Sequence, residues 1–215
     1  SAKVIILARN KPKKQIKVKG NKALFYQCNV RDNAHVEEVI NEVFKANKCI
    51  DVLINNAGGA PLINSLDASM NFNNAIIDLN LNSSFAVSYY VAKKMIKKSS
   101  GCVITNISSV TATRPTPGSA AYGAAKGGLV NLTKTLAVEW APRIRVNSII
   151  TGYIETENSL IHYGSKKDMK AVAKTIPMQR MGTPEDIANA CIFLSSANSS
   201  WITGTAIEVL SLIHI

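Results

Sequence analysis

Carboxylates are scarce in this chain: 14 Asp and Glu stand against 25 Lys and Arg, a formal charge of +11. That imbalance invites a nucleic-acid reading, but the aromatics such a reading needs are missing. None interleaves with the lysines of KPKKQIKVKGNK (11–22), KKMIKK (93–98) or KKDMK (166–170), and no DNA- or RNA-binding motif appears. The expectation is a solvated basic surface and no nucleic-acid partner, with the charge free to attract an acidic ligand or carrier. Long apolar runs are also absent. Nothing approaches the ~18 residues of a membrane span, and no basic, apolar and small-residue leader opens the sequence. The expectation is therefore a cytoplasmic protein with no membrane partner. The first residue is Ser rather than Met, so the natural N-terminus is expected to lie upstream.

Paired cysteines are lacking too. Cys28, Cys49, Cys102 and Cys191 form no C-x-x-C motif, and three of them sit in apolar runs. They read as free thiols in a reducing compartment. Three scattered histidines show no ligand spacing, so no metal site is expected.

What is present alternates. Short β-branched runs, VIILA (4–8), ALFYQCNV (23–30), DVLINNAG (51–58), CVITNISS (102–109), IRVNSII (144–150) and TAIEV (205–209), read as strands. Helical patterns lie between them at 33–47, 67–98, 119–140, 157–175 and 184–196. Continuous apolar strands alternating with helices predict a three-layer α/β/α, doubly wound parallel sheet in one domain. Thr183-Pro184-Glu185-Asp186 has the signature of a helix start. The lysine-rich stretch 11–22 reads as a loop.

One stretch carries chemistry. In AAYGAAKGG (120–128) a helix puts Tyr122 and Lys126 on one face. An ammonium beside a phenol favours the phenolate, so the pair is expected to act as a general acid/base with a lowered tyrosine pKa. The surrounding Gly and Ala leave room for a flat cofactor or another helix. Upstream, Ser109 ends the run CVITNISS, where an open parallel sheet places its ligands. INNAG (54–58) ends another strand in Asn and Gly.

In this order and spacing, NNAG (55–58), Ser109 and Tyr122-x-x-x-Lys126 resemble the short-chain dehydrogenase/reductase family. RVNSIITGYIET (145–156), RMGTPEDIANACIFLSS (180–196) and WITGTAIEV (201–209) extend the likeness over residues 2–209. The resemblance implies a Rossmann-like NAD(P)-binding domain over 1–209 and an oxidoreductase that interconverts a carbonyl and a secondary alcohol. Tyr122 would exchange the proton with the substrate oxygen. Lys126 would lower its pKa and hold the nicotinamide ribose. Ser109 would polarise the carbonyl, and Asn80 in DLNLNSSF (78–85) would support a water relay. Asn55, Ala57 and Gly58 would line the cofactor, Asn29 and Val30 its adenine, and Gly152, Ile154 and Thr156 its carboxamide end.

The chain departs from the family pattern in several places. The family's first strand and its TGxxxGxG turn have no counterpart, because residue 2 already matches the start of the second strand. On this reading the chain is a fragment that lacks the pyrophosphate-binding turn, and it is expected to bind cofactor weakly and to be inactive by itself. Asn29 replaces the family's usual Asp, and Thr151 replaces the Pro of its Pro-Gly pair, which predicts a less rigid turn. LSLIHI (210–215) stands where Asp-Gly-Gly is usual, and reads as a non-native tail translated from a sequencing adapter. At the end of the second strand Ala8 stands where NAD-preferring relatives place Asp, and Arg9 follows. A guanidinium suits a 2′-phosphate, so NADP(H) is favoured over NAD(H).

The resemblance is nearest to 3-oxoacyl-(acyl carrier protein) reductase-like members. It implies a small-molecule carbonyl or alcohol substrate, carried on acyl carrier protein or coenzyme A, and a homotetramer built through the helices bearing Asn80 and Tyr122. Two other readings stand beside it. One is a relative acting with NAD(H) on a steroid, sugar or small alcohol. The other is a non-catalytic cofactor-binding protein, which the retention of Asn80, Ser109, Tyr122 and Lys126 argues against.

Overall fold

We describe a computed structural model of the chain, covering residues 2–18, 20–97, 101–157 and 159–211. Strand β1 (Ile5–Ala8) pairs in parallel with β4 (Leu24–Gln27). Between them lies not a loop but a small antiparallel hairpin, β2 (Lys17–Val18) with β3 (Asn21–Lys22). It turns at Gly20, whose φ of +84° favours glycine. The second parallel sheet has the order β5-β6-β7-β8, from Val52–Asn55, Cys102–Ser109, Ile144–Thr151 and Ala206–Val209. The fold is thus the expected Rossmann-like α/β arrangement, but its parallel strands fall into two hydrogen-bonded sets. Among the described residues nothing pairs with the second edge of β1 or of β5.

Helices cover both faces of the larger sheet. On one side are α1 (Asn33–Asn47), α3 (Ser83–Met95) and α4 (Ala120–Trp140). Val36 and Ile40, Val87 and Val91, and Leu136 from these helices meet Ile104, Ile144 and Val146 of the sheet. Ile5 and Leu7 of β1 pack against the same cluster, so one core spans both sheets. On the other face α7 (Pro184–Ser195) sets Cys191 and Leu194 against Ile149. At about 25 cal/mol per Å2 of apolar surface, each fully buried aliphatic side chain contributes roughly 1.5–3 kcal/mol.

The helix ends follow local chemistry. Asp32 caps α1 by accepting the His35 N–H at 3.1 Å. Thr183 and Asp186 form a capping box on α7 with Pro184 in the first turn, as the sequence predicts. The long helix expected over 67–98 is broken into α2 (Met70–Ile77), a π-helical segment (Asp78–Asn82) and α3. The last segment before α7 is a pair of short helices, α5 (Ser159–Tyr163) and α6 (Lys166–Thr175). No helix among the described residues is long and apolar enough to cross a membrane. Of the expected tail, residues 212–215 lie outside the described residues. Leu210 is buried against Val110 and Ile150, and the Ser211 hydroxyl accepts from the Met178 N–H at 3.0 Å.

Candidate active site

The carboxyl ends of β5, β6 and β7 converge with the first turns of α4. Ser109 is the last residue of β6, and its register partner on β7 is Thr151. Tyr122 lies in the first turn of α4 and Lys126 one turn on. The structure brings all three together. The Ser109 hydroxyl lies close enough to the Tyr122 phenol to favour its ionised form, and the Lys126 Nζ lies 5.7 Å from the Tyr122 ring centroid. Lys126 is only 4% exposed. Its ammonium donates to the Ile107 carbonyl at 2.8 Å, while its own carbonyl accepts from Ser108 Oγ at 3.1 Å. The lysine is therefore fastened to β6 at both ends.

Burial decides the protonation states, and it corrects one expectation. Burial raises the Tyr122 pKa, and the Ser109 hydroxyl offsets only part of that rise. The lowered phenol predicted from sequence is not found, because burial outweighs what favours the phenolate. The same burial lowers Lys126 from its ordinary 10.5 to about 8.

Asn80 reaches the site from the π-helical segment and is fully buried. Its side chain is committed to backbone: Nδ2 donates to Gly59 O at 3.0 Å and Ile76 O at 2.9 Å, and Oδ1 accepts from Gly59 N at 2.8 Å. Gly58 lies where this clamp meets the lysine. A Cβ there would sit 2.7 Å from Asn80 Oδ1 and 3.1 Å from Lys126 Nζ. A cleft of about 620 Å3 opens beside it, lined by Gly58, Gly59, Ala60, Pro61, Leu62, Ile76 and Leu79. A second cavity, of about 460 Å3, lies along the Gly123–Gly127 flank of α4, and Tyr122 does not line it.

The cofactor residues read from sequence fall in two groups. Ala57 and Gly58 are exposed beyond β5, and Gly152, Ile154 and Thr156 follow β7. Asn55 differs: its amide is buried, donating to Ser88 Oγ and Asn106 Oδ1 at 2.8 Å each. Only its backbone is left to line a ligand. Ala8 ends β1, with Arg9 exposed beyond it, and Asn29 and Val30 follow β4. The Asn29 Oδ1 accepts from the Arg31 N–H at 3.3 Å, which leaves it a second lone pair. Thr151, in place of proline, donates its hydroxyl to Ser108 O at 3.0 Å. The turn is thus tied across to β6 by a hydrogen bond where a ring was expected to stiffen it. An extended ligand with a flat ring fits this surface: the glycine-lined cleft admits it, the exposed backbone of Ala57 and Gly58 borders it, and a buried ammonium stands behind it.

The sequence reading missed the buried amide network beneath the site. Asn106 Nδ2 donates to Thr133 Oγ1 at 2.9 Å and its Oδ1 holds Asn55, so β5, β6 and α4 are locked together. The equal position of Asn55 and Asn106 in their runs was the available signal, since the two are register partners. Among the described residues no group of three or more His, Cys, Asp or Glu is placed to hold a metal ion.

A family model described as enoyl-(acyl carrier protein) reductase matches residues 1–209. The 3-oxoacyl-[acyl-carrier-protein] reductase of Thermotoga maritima is 37% identical over 188 residues, covering 86% of this chain and 74% of the relative. The ligand-free aldohexose dehydrogenase of Thermoplasma acidophilum superposes with a TM-score of 0.90 at 32% identity, over 98% of this chain and 84% of that one. A gluconate 5-dehydrogenase of Burkholderia cenocepacia, solved with NADP and tartrate, gives 0.84 at 30% identity, over 91% and 76%.

Proposed function

Because the chain belongs to the short-chain dehydrogenase/reductase family of NAD(P)-dependent oxidoreductases, we propose that it interconverts a carbonyl and a secondary alcohol with NADP(H), and that its substrate is a 3-oxoacyl thioester. One observation carries the reaction: two neighbouring hydroxyls, Ser109 and Tyr122, stand together in front of a buried ammonium. Two hydroxyls side by side suit one oxygen atom, which favours carbonyl over carbon–carbon double-bond reduction.

In the reductive direction the substrate oxygen accepts hydrogen bonds from Ser109 and Tyr122. Burial keeps Tyr122 protonated at neutral pH, so it holds the proton that the oxygen needs. As negative charge develops on that oxygen, Tyr122 releases its proton to it and Ser109 keeps its hydrogen bond. Lys126, with its pKa near 8, is still mostly charged at pH 7 and balances the phenolate left behind. Asn80 acts on the loop beneath, holding Gly59 so that Gly58 stays clear of Lys126. The nicotinamide supplies the hydride when bound; Ala57, Gly58, Ile154 and Thr156 would hold its ring end, and Asn29 and Val30 its adenine.

Arg9 supports NADP(H) over NAD(H), since Ala8 offers no carboxylate for a 2′-hydroxyl, and the Burkholderia relative was solved with NADP. The acyl thioester rests on the Thermotoga relative's name and on the apolar cleft. Self-association through α3 is part of the reading, because Phe85 and Tyr89 share a face of that helix and are 45% and 47% exposed; sedimentation of the protein reads it directly.

The test uses the chain with the family's first strand and Gly-rich turn restored ahead of residue 2, and follows the absorbance of NADPH and, separately, of NADH with a 3-oxoacyl thioester, with Tyr122→Phe as control. NADPH-dependent turnover abolished in Tyr122→Phe is the expected result. Turnover with NADH alone overturns the Arg9 argument, and cofactor binding without turnover moves the substrate to sugars, steroids or small alcohols.

A further inference from the structure

The segment after β7 has to present Ile154 and Thr156 from an irregular stretch of chain. On one flank it is held by Gly182, whose N–H donates to Tyr153 O at 2.9 Å and whose carbonyl accepts from Glu155 N at 2.8 Å. A Cβ on Gly182 would lie 2.6 Å from Ile154 Cδ1, so the isoleucine side chain would have to move. The other flank is held by the Ser159 side chain. It is 2% exposed. Its Oγ accepts from the Thr156 N–H at 2.6 Å, lies 3.4 Å from Thr156 Oγ1, and reaches Ile154 O at 3.5 Å. Its own N–H donates to Thr156 O at 3.0 Å.

From these contacts we infer that Ser159 is the positioning residue for the nicotinamide end of the cofactor. The inference rests on the reading above, in which Ile154 and Thr156 hold the carboxamide. A serine hydroxyl has one proton to give and two lone pairs to accept with. One lone pair is taken by Thr156 N–H, so the backbone of Thr156 is fixed whatever the proton does. The proton itself has two acceptors in reach, Ile154 O and Thr156 Oγ1. A carboxamide that donates to Ile154 O frees the proton for Thr156 Oγ1, and one that binds Thr156 Oγ1 frees it for Ile154 O. In either case the buried Ser159 hydroxyl keeps an acceptor for its own proton. Ser159 thus holds the two groups in place before the ligand arrives and compensates them after it does. It is also the first residue of α5, so the same hydroxyl links the cofactor's ring end to the helices that follow.

The test compares two probes on the chain with the family's first strand and Gly-rich turn restored ahead of residue 2: NADPH, which has the nicotinamide, and adenosine 2′,5′-bisphosphate, which has the other end only. Ser159→Ala is expected to weaken NADPH about tenfold, the effect of one lost hydrogen bond, and to leave the bisphosphate unchanged. Ser159→Thr, which keeps the hydroxyl, restores NADPH binding. Ser159→Cys, similar in size but a poor donor and acceptor, takes the place of the alanine variant if that one does not fold. Equal losses on both probes would mean a general structural role and overturn the proposal, as would no loss on either. A wild-type protein that binds neither probe sinks the cofactor reading itself, and this proposal with it.

Discussion

Asn80 and Gly59 hold each other by a reciprocal pair of hydrogen bonds, side-chain amide to backbone amide, at 3.0 and 2.8 Å. The arrangement is that of two peptide groups in a strand pair, made by one side chain. It depends on Asn80 being both donor and acceptor. Asn80→Asp keeps the acceptor and loses the donor to Gly59 O and Ile76 O. It is expected to lower stability by about 1–3 kcal/mol and to reduce turnover at least tenfold. Urea unfolding and steady-state rates on the same sample check it, and unchanged rates would detach Asn80 from the site.

Gly58→Ala is predicted to act through the same clamp. The new methyl meets Asn80 Oδ1 at 2.7 Å, so the loop or the amide has to shift. Overpacking of this kind typically costs about 1–3 kcal/mol. Turnover should fall further than stability, because the displaced neighbours include Lys126. A variant with normal rates would show that the loop moves freely.

Lys126→Met is expected to abolish turnover and to stabilise the fold. Burial lowers the lysine from 10.5 to about 8, so carrying its charge in the folded state costs roughly 3 kcal/mol at neutral pH. The sign follows from linkage: the folded pKa lies below the unfolded one, so the penalty is complete below pH 8 and fades as pH rises to 10.5. The wild type should gain stability over that window relative to Lys126→Met, and thermal midpoints at pH 7 and pH 10 measure it. A variant that melts lower than wild type at pH 7 contradicts the burial argument.

Asn106→Leu removes the centre of the buried network. Asn55 Nδ2 loses an acceptor and Thr133 Oγ1 loses a donor, both out of reach of water. A loss of about 2–4 kcal/mol is expected. The double variant Asn55→Leu/Asn106→Leu should lose less than the sum of the single changes, since each removes the other's stranded group. Additive losses would show that the two amides act independently.

The strands, the capped helices and the Ser109–Tyr122–Lys126 set could be read from the sequence, because each leaves a local pattern. CVITNISS and the 33–47 helix came out with the boundaries expected. The hairpin at Lys17–Lys22 could not, since two-residue strands have no period to detect. The π-helical segment around Asn80 left the apolar spacing of its helix almost unchanged. The phenol's pKa was misjudged because burial belongs to the whole fold, whereas the Tyr–Lys spacing belongs to one helix turn. Ser159 was hidden for a related reason: its contacts to Ile154 and Thr156 exist only once the chain has left β7 and turned.

The interrupted sheet has a consequence for how the molecule opens. A parallel pair such as β1–β4, with a short hairpin at its side, has few cross-strand partners of its own. Among the described residues it meets the four-stranded sheet through side-chain packing, with no shared ladder. Backbone amides of Ile5–Ala8 should therefore exchange with solvent through a sub-global opening that leaves Cys102–Ser109 protected. Arg9 and Asn29 lie at the ends of those same two strands. On the proposed reading the cofactor engages them, so its binding would hold the pair against the rest of the core, and order in the first thirty residues would rise with occupancy of the site.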